Sequence, residues 1–400
     1  LYNTGEISLT GKVNKHHIAA KAYISNEKSR TNTYFNAATL KEVPEYMSYQ
    51  SSVDFWGLQL KDEYKLNSNI RFLLGADYND SKTELRYWNA PTVATGNIPQ
   101  ERAASSPNGS IKNLGIYAQT HLTLFNNLLI VNPSFRVDFI NYSMTKSFGL
   151  ESRTAIRDEK KTMYSPNLGL QLNVNKYISL HGNIGKAFRY SVANQLAGYY
   201  EAFTTTKPAQ INLTLGNPDL KDENSLTWDA GIKISKPKKG YHFDVTYFQT
   251  KVNDKIITKQ DPTKVGTLWT ALDGNQYKIA SYQSYINSNY SKISGLEFDG
   301  YYDFGVFNHF KKSCKVFFNA TKMFEYDDYI ANINPALPDT SSKSRHVADL
   351  SFGGGFEYDD FKNWNFRIST RYVGKRNYVN FNDTTSPTKY RSQPVEYPPY

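Results

Sequence analysis

Cysteine and long apolar runs are both scarce in this 400-residue chain. The single Cys314 excludes an internal disulfide framework and any zinc site built from cysteines. No stretch reaches the roughly 18 consecutive apolar residues that a transmembrane helix needs. Hydrophobic residues make up only 39% of the chain, which is little for the core of a soluble protein of this length. The sequence therefore points away from helical membrane proteins and disulfide-stapled domains.

Aromatic residues, in contrast, are abundant. They make up 15% of the chain, with 31 Tyr and 23 Phe. Transmembrane β-barrels combine aromatic girdles with a polar lumen, and their strands show only a weak alternating pattern over about 10 residues. The composition is thus typical of a barrel that crosses a membrane with strands.

The charge balance is basic, at +10, from 47 Lys and Arg against 37 Asp and Glu. These positive residues are spread over many turns and loops and do not gather on one helix or stripe, so we predict no nucleic-acid partner. Scattered charge of this kind suits lipid phosphates or anionic ligands.

Short and long connections alternate along the whole chain and divide it into seven hairpins. The predicted strands are 2–12, 17–27, 53–64, 69–80, 113–124, 128–141, 164–174, 177–188, 225–236, 241–252, 290–304, 313–324, 347–358 and 364–374. The connections between hairpins are long, polar and predicted to be structureless: 28–52, 81–112, 142–163, 189–224, 253–289, 325–346 and the segment from 375 onward. Soluble domains seldom carry so many long loops, whereas outer-membrane barrels have short turns on one side and long loops on the other. We therefore predict an all-β fold, a transmembrane antiparallel up-and-down β-barrel.

The strand faces agree with that prediction. Phe135 and Phe139 alternate with Arg136 and Asp138, so that one face would meet lipid and the other would line a lumen. Parity adds an expectation about the rest of the barrel. If the short turns are periplasmic, the first strand runs inward and the fourteenth runs outward, so an odd number of strands is missing at each end. We expect the chain to be part of a larger barrel.

The residues 216–231 read GNPDLKDENSLTWDAG, in which turn residues pass into an alternating strand. This stretch resembles the signature of TonB-dependent outer-membrane receptors, with Asp222-Glu223 where the family usually has Pro-Glu. Four further segments resemble family strands in the expected order, and the late hairpin 358–364 agrees with them. The four segments are GIYAQ at 115–119, FRVD at 135–138, GKAFR at 185–189 and SGLE at 294–297.

The resemblance implies a barrel of about 22 strands, plugged by an N-terminal globular domain. Residues 1–400 would be a partial barrel of about 14 strands, with the plug and terminal strands absent. It implies a Gram-negative outer membrane as the location. The implied partners are outer-membrane lipid and lipopolysaccharide, a small-molecule metal chelate, and the TonB complex through the missing N-terminal region.

The implied function is ligand-gated, TonB-energised import of a scarce solute, with a ferric siderophore or related metal chelate as the leading candidate and no cofactor. The Lys-Asp-Glu in the signature favours the iron-chelate and cobalamin type over the glycan type, which usually has Lys-Trp-Glu. The alternatives are a passive porin-like channel, a glycan or cobalamin receptor, a surface adhesin and a barrel enzyme. We predict no enzyme and no catalytic residue, because the lumen-facing His121 and His181 have no evident nucleophile beside them.

Two sets of site residues follow. Rings and a guanidinium in the long loops are candidate ligand contacts, because rings give rigid contact area and Arg grips anions in a fork: Trp88, with Tyr87 beside it, Arg102, Tyr199, Tyr200, Phe203 and Trp269. Charged residues on the predicted lumen face should pair with each other or with the plug: Arg136, Asp138, Arg189, Asp229, Glu297 and Arg367.

No metal site is predicted. The pair His16-His17 reads as a solvated turn. Glu325, Asp327 and Asp328 could offer carboxylates to calcium, but they lack regular ligand spacing and read as a solvated loop. Lys236, Lys238 and Lys239 crowd one turn and read as a solvated hairpin.

Overall fold

A computed structural model describes residues 2–35, 42–91, 93–96, 98–145, 149, 153, 158–204, 208–330, 340–344, 347–380 and 393–397. Strands dominate it. They are β1 Tyr2–Val13, β2 His16–Phe35, β3 Glu42–Lys65, β4 Ile70–Asn89, β5 Gln100–Arg102, β6 Asn108–Leu124, β7 Leu129–Thr145, β8 Glu159–Asn173, β9 Ile178–Arg189, β10 Tyr199–Phe203, β11 Ile211–Leu215, β12 Glu223–Lys236, β13 Tyr241–Asn253, β14 Ile256–Gln260, β15 Leu268–Thr270, β16 Gln276–Asn287, β17 Tyr290–Asp303, β18 Ser313–Ile330, β19 Thr340–Lys343, β20 Leu350–Asp359, β21 Asn365–Val373, β22 Arg376–Asn380 and β23 Gln393–Tyr397.

Helices are few and short. The α-helix α1 covers Ala193–Ala197, and the 3-10 turns are Val93–Thr95, Pro237–Lys239, Pro262–Lys264 and Phe304–Asn308. Within these described residues, none of the helices has the length and apolar character needed to cross a bilayer.

One antiparallel sheet organises the chain. Its order is β1-β2-β3-β4-β6-β7-β8-β9-β12-β13-β17-β18-β20-β21, with β5 attached to β4 and β19 attached to β18. The fourteen strands of this path are the fourteen predicted ones, each paired with the strand before it in the predicted up-and-down order. The prediction of an all-β antiparallel barrel wall is confirmed. β22 and β23 form a separate two-stranded sheet.

The two faces of the wall differ as the alternation predicted. Phe135 and Phe139 of β7 are 49% and 44% exposed on the outer face. On the opposite face, Asp138 of the same strand is 2% exposed because neighbouring polar side chains cover it. Exposed apolar side chains in a polar-lined wall are stable where lipid covers them.

The short turns are fixed by side chains that bond their own backbone. The Oδ1 of Asn175 accepts hydrogen bonds from Tyr177 N at 2.8 Å and Ile178 N at 3.0 Å. Asp360 does the same for the turn before β21, where it accepts from three backbone N–H groups between Lys362 and Trp364. These local bonds replace the strand ladder, so the chain reverses within a few residues.

The prediction that the long loops are structureless was wrong. Strands extend into 28–52, 81–112, 142–163 and 325–346, β22 and β23 lie in the segment from 375 onward, and two further loops form a sheet of their own. Loops 189–224 and 253–289 build a second sheet in the order β10-β11-β16-β14, with β15 also paired to β16. Ile211, Leu213, Ala271 and Ile279 form its core, each no more than 3% exposed. Burial of these apolar side chains stabilises β11 and β15, which have only five and three residues, and β11 pairs in parallel with the 12-residue β16.

A second apolar cluster fastens this loop sheet to the rim of the wall. Leu196 and Ala197 of α1 pack with Tyr142, Leu220 and Ile256, all under 9% exposed. Gly216 allows this approach, because a Cβ there would lie 2.6 Å from the Ala197 nitrogen. The external loops therefore stand on the wall as a packed layer.

Candidate functional site

The loop sheet and the outer end of the wall enclose a cavity of about 810 Å³. Its lining comes from the end of β4, from β5 with the segment after it, from β10, and from the turn between β15 and β16. The lining residues are Tyr87, Asn89, Glu101, Arg102, Ala103, Ser105, Gly149, Tyr199, Tyr200, Glu201, Phe203, Leu272 and Asp273. The volume falls in the range of small-molecule sites.

Aromatic rings form one side of the cavity. Tyr199 stacks on Trp269, with ring centroids 6.5 Å apart, and accepts a hydrogen bond from its indole Nε1 at 3.1 Å. Phe203 packs against Tyr277 at 4.9 Å. Tyr200 and Phe203 keep about half of their surface exposed, so their rings are available to a ligand.

Tyr199 is held as a neutral phenol. Its hydroxyl donates to Glu201 Oε2 at 2.6 Å. Burial, followed by the hydrogen bond to Glu201, raises the pKa of Tyr199 to about 12. Tyr199 is only 3% exposed, and its hydroxyl is bonded to both Glu201 and Trp269, so at neutral pH it supports the lining without adding a negative charge.

Arg102 supplies the cation of the cavity. Its guanidinium lies over the Tyr87 ring, 4.9 Å from the centroid, and β5 pairs Arg102 directly with Tyr87. Among the described residues no ion pair involves Arg102, and its side chain is exposed. A guanidinium supported by a ring and lacking a carboxylate partner is suited to an anionic group of a ligand.

The three acids of the cavity are already engaged. Glu101 holds Arg86 through two bonds of 2.9 and 2.6 Å. Glu201 accepts from Tyr199 and from the backbone of Leu272. Asp273 accepts from Asn275 N at 2.9 Å and from Tyr277, and these bonds lower its pKa. The acids thus hold the loops in place.

The structure brings four of the six predicted ligand contacts together: Arg102, Tyr199, Tyr200 and Phe203. Trp269 lies behind Tyr199 and supports it. Trp88 is not in the lining; its neighbours Tyr87 and Asn89 are, and Arg86 lies over the Trp88 ring at 5.1 Å. The sequence predicts a loop at this segment, whereas β4 continues to Asn89, so strand alternation places Tyr87 and Trp88 on opposite faces. Glu201 and Asp273 were not predicted, and no local sequence pattern marks them.

On the lumen face, Arg136 forms a bridge across three strands. It holds Asp77 of β4 at 2.7 and 2.9 Å and Asp138 of its own strand at 2.8 and 2.7 Å. Between them lies Gly115 of β6, paired with both acids, where a Cβ would lie too close to the guanidinium. Asn113 donates to Asp138 at 2.9 Å.

The other predicted lumen residues differ in their partners. Arg189 Nη1 bonds Glu223 Oε1 at 2.8 Å, and Arg367 Nη1 lies 3.5 Å from Glu357 Oε2. Asp229 and Glu297 take part in no ion pair among the residues that the structure describes.

The three acids that could offer carboxylates to calcium each have a lysine partner. Asp328 pairs with Lys255 at 2.6 Å, and Asp327 pairs with Lys343 at 3.2 Å. Glu325 pairs with Lys292 at 2.7 Å. Over the described ranges, no group of three His, Cys, Asp or Glu side chains is placed to hold a metal ion.

Comparison with known proteins gives distant but consistent matches. Heme/hemopexin utilization protein C of Haemophilus influenzae is 24% identical over 295 residues, 70% of this chain and 38% of that protein. The probable TonB-dependent siderophore receptor PirA of Acinetobacter baumannii is 32% identical over 99 residues, 24% of this chain and 13% of that protein.

The crystal structure of the ferric enterobactin receptor PfeA of Pseudomonas aeruginosa superposes with a TM-score of 0.66 at 14% identity, covering 100% of this chain and 52% of that one. The chain thus spans about half the length of this structure and 38% of the haem relative. A family model described as TonB dependent receptor-like, beta-barrel matches residues 4–400, and the chain therefore belongs to that family of TonB-dependent receptor barrels.

Proposed function

We propose that the intact protein imports an iron chelate across the outer membrane, gated by the ligand and energised through TonB. The family is one of transport receptors of the Gram-negative outer membrane. The relatives named above are a heme/hemopexin utilization protein, a probable TonB-dependent siderophore receptor and a ferric enterobactin receptor. Because the chain spans only part of their length, activity, solute and partners are proposals for this protein.

The observation that carries the proposal is the external cavity. It joins two half-exposed rings, Tyr200 and Phe203, to the guanidinium of Arg102, which has no ion pair among the described residues, in a space of about 810 Å³. Siderophores and haem both combine flat apolar surface with anionic groups, and this lining offers a partner to each. Tyr199 is buried beside these rings, and the hydrogen bond from Trp269 holds it in place.

We further propose that residues 1–400 form part of a barrel of about 22 strands, whose plug and TonB-contacting segment are encoded elsewhere in the intact protein. Asp229 and Glu297 are the proposed plug contacts, because they face the lumen without an ion pair in the described part of the chain. Lipid and lipopolysaccharide of the outer membrane are the proposed partners of the exposed apolar face. No catalysis is proposed.

The test is uptake of radiolabelled iron, supplied as a ferric siderophore or as haem. It compares a deletion strain with strains that carry the wild-type gene, the double variant Arg102→Gln/Tyr200→Ala, or the control Leu268→Ala. Leu268 is 62% exposed on the same loop sheet but lies outside the cavity. We expect uptake with the wild type and the control, a strong loss with the double variant, and none without TonB.

Three outcomes would separate the alternatives. Uptake that persists without TonB would indicate a passive porin-like channel. Binding of cobalamin or a glycan in place of iron chelates would reassign the solute while keeping the receptor. Equal iron uptake in the deletion strain and the wild type, across both kinds of chelate, would overturn the proposal.

A further inference from the structure

Two neighbouring short turns carry a concentration of positive charge that the import function does not use. The turn before β9 contains Lys176, Lys236 is the last residue of β12, and the turn between β12 and β13 contains Lys238 and Lys239. β9 pairs with β12 down to Ile178 and Ile234, so the two turns lie side by side on the periplasmic rim. Residues 174–179 and 235–241 include these four lysines and no carboxylate.

A tyrosine organises two of the lysines. Lys236 Nζ lies 3.9 Å from the centre of the Tyr177 ring, and Lys176 Nζ lies 5.0 Å from it. The ring is held in position, since Asn175 bonds the Tyr177 N–H and Ser235 N donates to the Tyr177 carbonyl at 2.8 Å. Lys236 and then Lys176 lower the pKa of the Tyr177 hydroxyl, in keeping with two ammonium groups converging on it.

Within the part of the chain that the structure describes, none of the four lysines forms an ion pair with a carboxylate. Asp303 is bonded to this turn through its backbone N–H, which donates to Gly240 at 2.6 Å. Its carboxylate, however, is occupied by Gly305 N, Ser313 Oγ and Cys314 N, at 2.8 to 2.9 Å. The positive charge is therefore left for an external anion.

The apolar face of the wall ends at these lysines. Lys236 continues the alternation of Ile232 and Ile234, and Ile232 is 40% exposed to the lipid side. On the other turn, Val174 is 53% exposed two residues before Lys176. An ammonium group that follows a lipid-facing strip by two residues lies at the depth of the headgroups.

We propose that Lys176, Lys236 and the Tyr177 hydroxyl bind the phosphate of an anionic glycerophospholipid in the periplasmic leaflet. The acyl chains of that lipid lie on the strip that contains Val174 and Ile232. Lys238 and Lys239 face the rest of its headgroup from the adjoining turn. We assign a membrane lipid to this site because the cations lie next to an apolar surface and not in an aqueous pocket.

The test is native mass spectrometry of the intact receptor, purified from outer membranes, delipidated, and offered equal amounts of phosphatidylglycerol and phosphatidylethanolamine. We expect phosphatidylglycerol to be retained in preference. The double variant Lys176→Gln/Lys236→Gln should retain it about 30-fold more weakly, from the usual attraction of a lysine to an anionic lipid surface. The Lys176→Arg/Lys236→Arg variant should restore retention.

A matched control removes two lysines from other turns of the same rim, Lys65→Gln/Lys362→Gln, and should retain the lipid as the wild type does. Heat-modifiable gel migration verifies that each variant is folded. The variant Tyr177→Phe keeps both lysines and removes only the hydroxyl, so we expect a smaller loss of lipid retention than for the double lysine variant. Equal retention of the two lipids by the wild type would overturn the proposal. So would an equal loss in the control, or displacement of the lipid by millimolar inorganic phosphate.

Discussion

Removal of the Arg136 guanidinium is expected to destabilise the wall more than removal of any single exposed cation. Arg136→Gln leaves Asp77 and Asp138 facing each other across Gly115 without a cation between them. The side chain of Asp138 is 4% exposed and that of Asp77 is 12% exposed, so water can solvate neither well. Two poorly solvated carboxylates near each other are unfavourable for two reasons: they have lost their cationic partner, and they repel each other.

The expected loss in free energy of unfolding follows from how deeply the ion pairs of Arg136 are buried. Breaking a fully buried ion pair costs about 3–5 kcal/mol, and breaking an exposed one costs less than about 1 kcal/mol. The side chain of Arg136 is 31% exposed, so its loss falls between these limits, at about 2–3 kcal/mol. Arg71→Gln is the control, because its pair with Glu63 is 3.5 Å long and about half exposed on both sides.

The assay is reversible urea unfolding of the intact protein in lipid vesicles, followed by tryptophan fluorescence and gel migration. Asp138→Asn added to Arg136→Gln should recover about half of the lost free energy, because only one carboxylate then remains. A loss below about 0.5 kcal/mol for Arg136→Gln, or equal losses for Arg136→Gln and Arg71→Gln, would refute the assignment of a stabilising bridge.

Three further predictions concern the external layer. Arg102→Gln should weaken binding of an anionic chelate about tenfold while Arg102→Lys keeps part of it, as measured by fluorescence quenching; equal affinities would exclude an anion contact there. Tyr199 has a folded pKa of about 12 against 10.0 in the unfolded chain. Its stabilising effect is therefore full below pH 10 and lost as pH rises through about 12. An alkaline phenolate titration should lose one component near pH 12 in Tyr199→Phe, and an unchanged titration would contradict this. Gly216→Ala should speed hydrogen exchange in α1 and β10, since its Cβ would lie 2.6 Å from Ala197 N; unchanged exchange would contradict that packing.

The sequence predicts the wall well because each strand shows its own local pattern of alternating residues and turn residues. Phe135, Arg136, Phe139 and their neighbours alternate within one strand, and Asn175 marks the turn locally. The outer ends of the strands are less predictable: β3 begins at Glu42, whereas the prediction began at 53. Beyond the membrane no lipid face requires apolar residues, so the alternation fades while the backbone ladder continues.

The loop sheet could not be read from the sequence for a different reason. Apart from β16, its strands have at most five residues. β11 pairs in parallel with β16, a strand more than sixty residues later, as shown by the register of Asn212 with Ser281. The same limit applies to the lumen bridge. Arg136 and Asp138 are recognisable together, but Asp77 precedes Arg136 by 59 residues and only the sheet order brings it into contact. For the cavity and for the lumen bridge, the sequence predicts which kinds of residue take part. It does not predict which of them contact each other.

The segment 216–223 belongs to the motif that resembles the family signature, and it joins the wall to the external layer. Glu223 Oε1 accepts from Arg189 Nη1 and from Ile256 N, both at 2.8 Å. Asp222 Oδ1 accepts from Lys161 Nζ at 2.6 Å and from Ser191 N at 3.1 Å. These bonds connect β8, β9 and β12 to the first residue of β14, and β14 pairs with β16 of the loop sheet. The side of the cavity that the loop sheet forms is therefore positioned by an acidic pair outside its lining, so a change there should alter ligand binding through geometry alone.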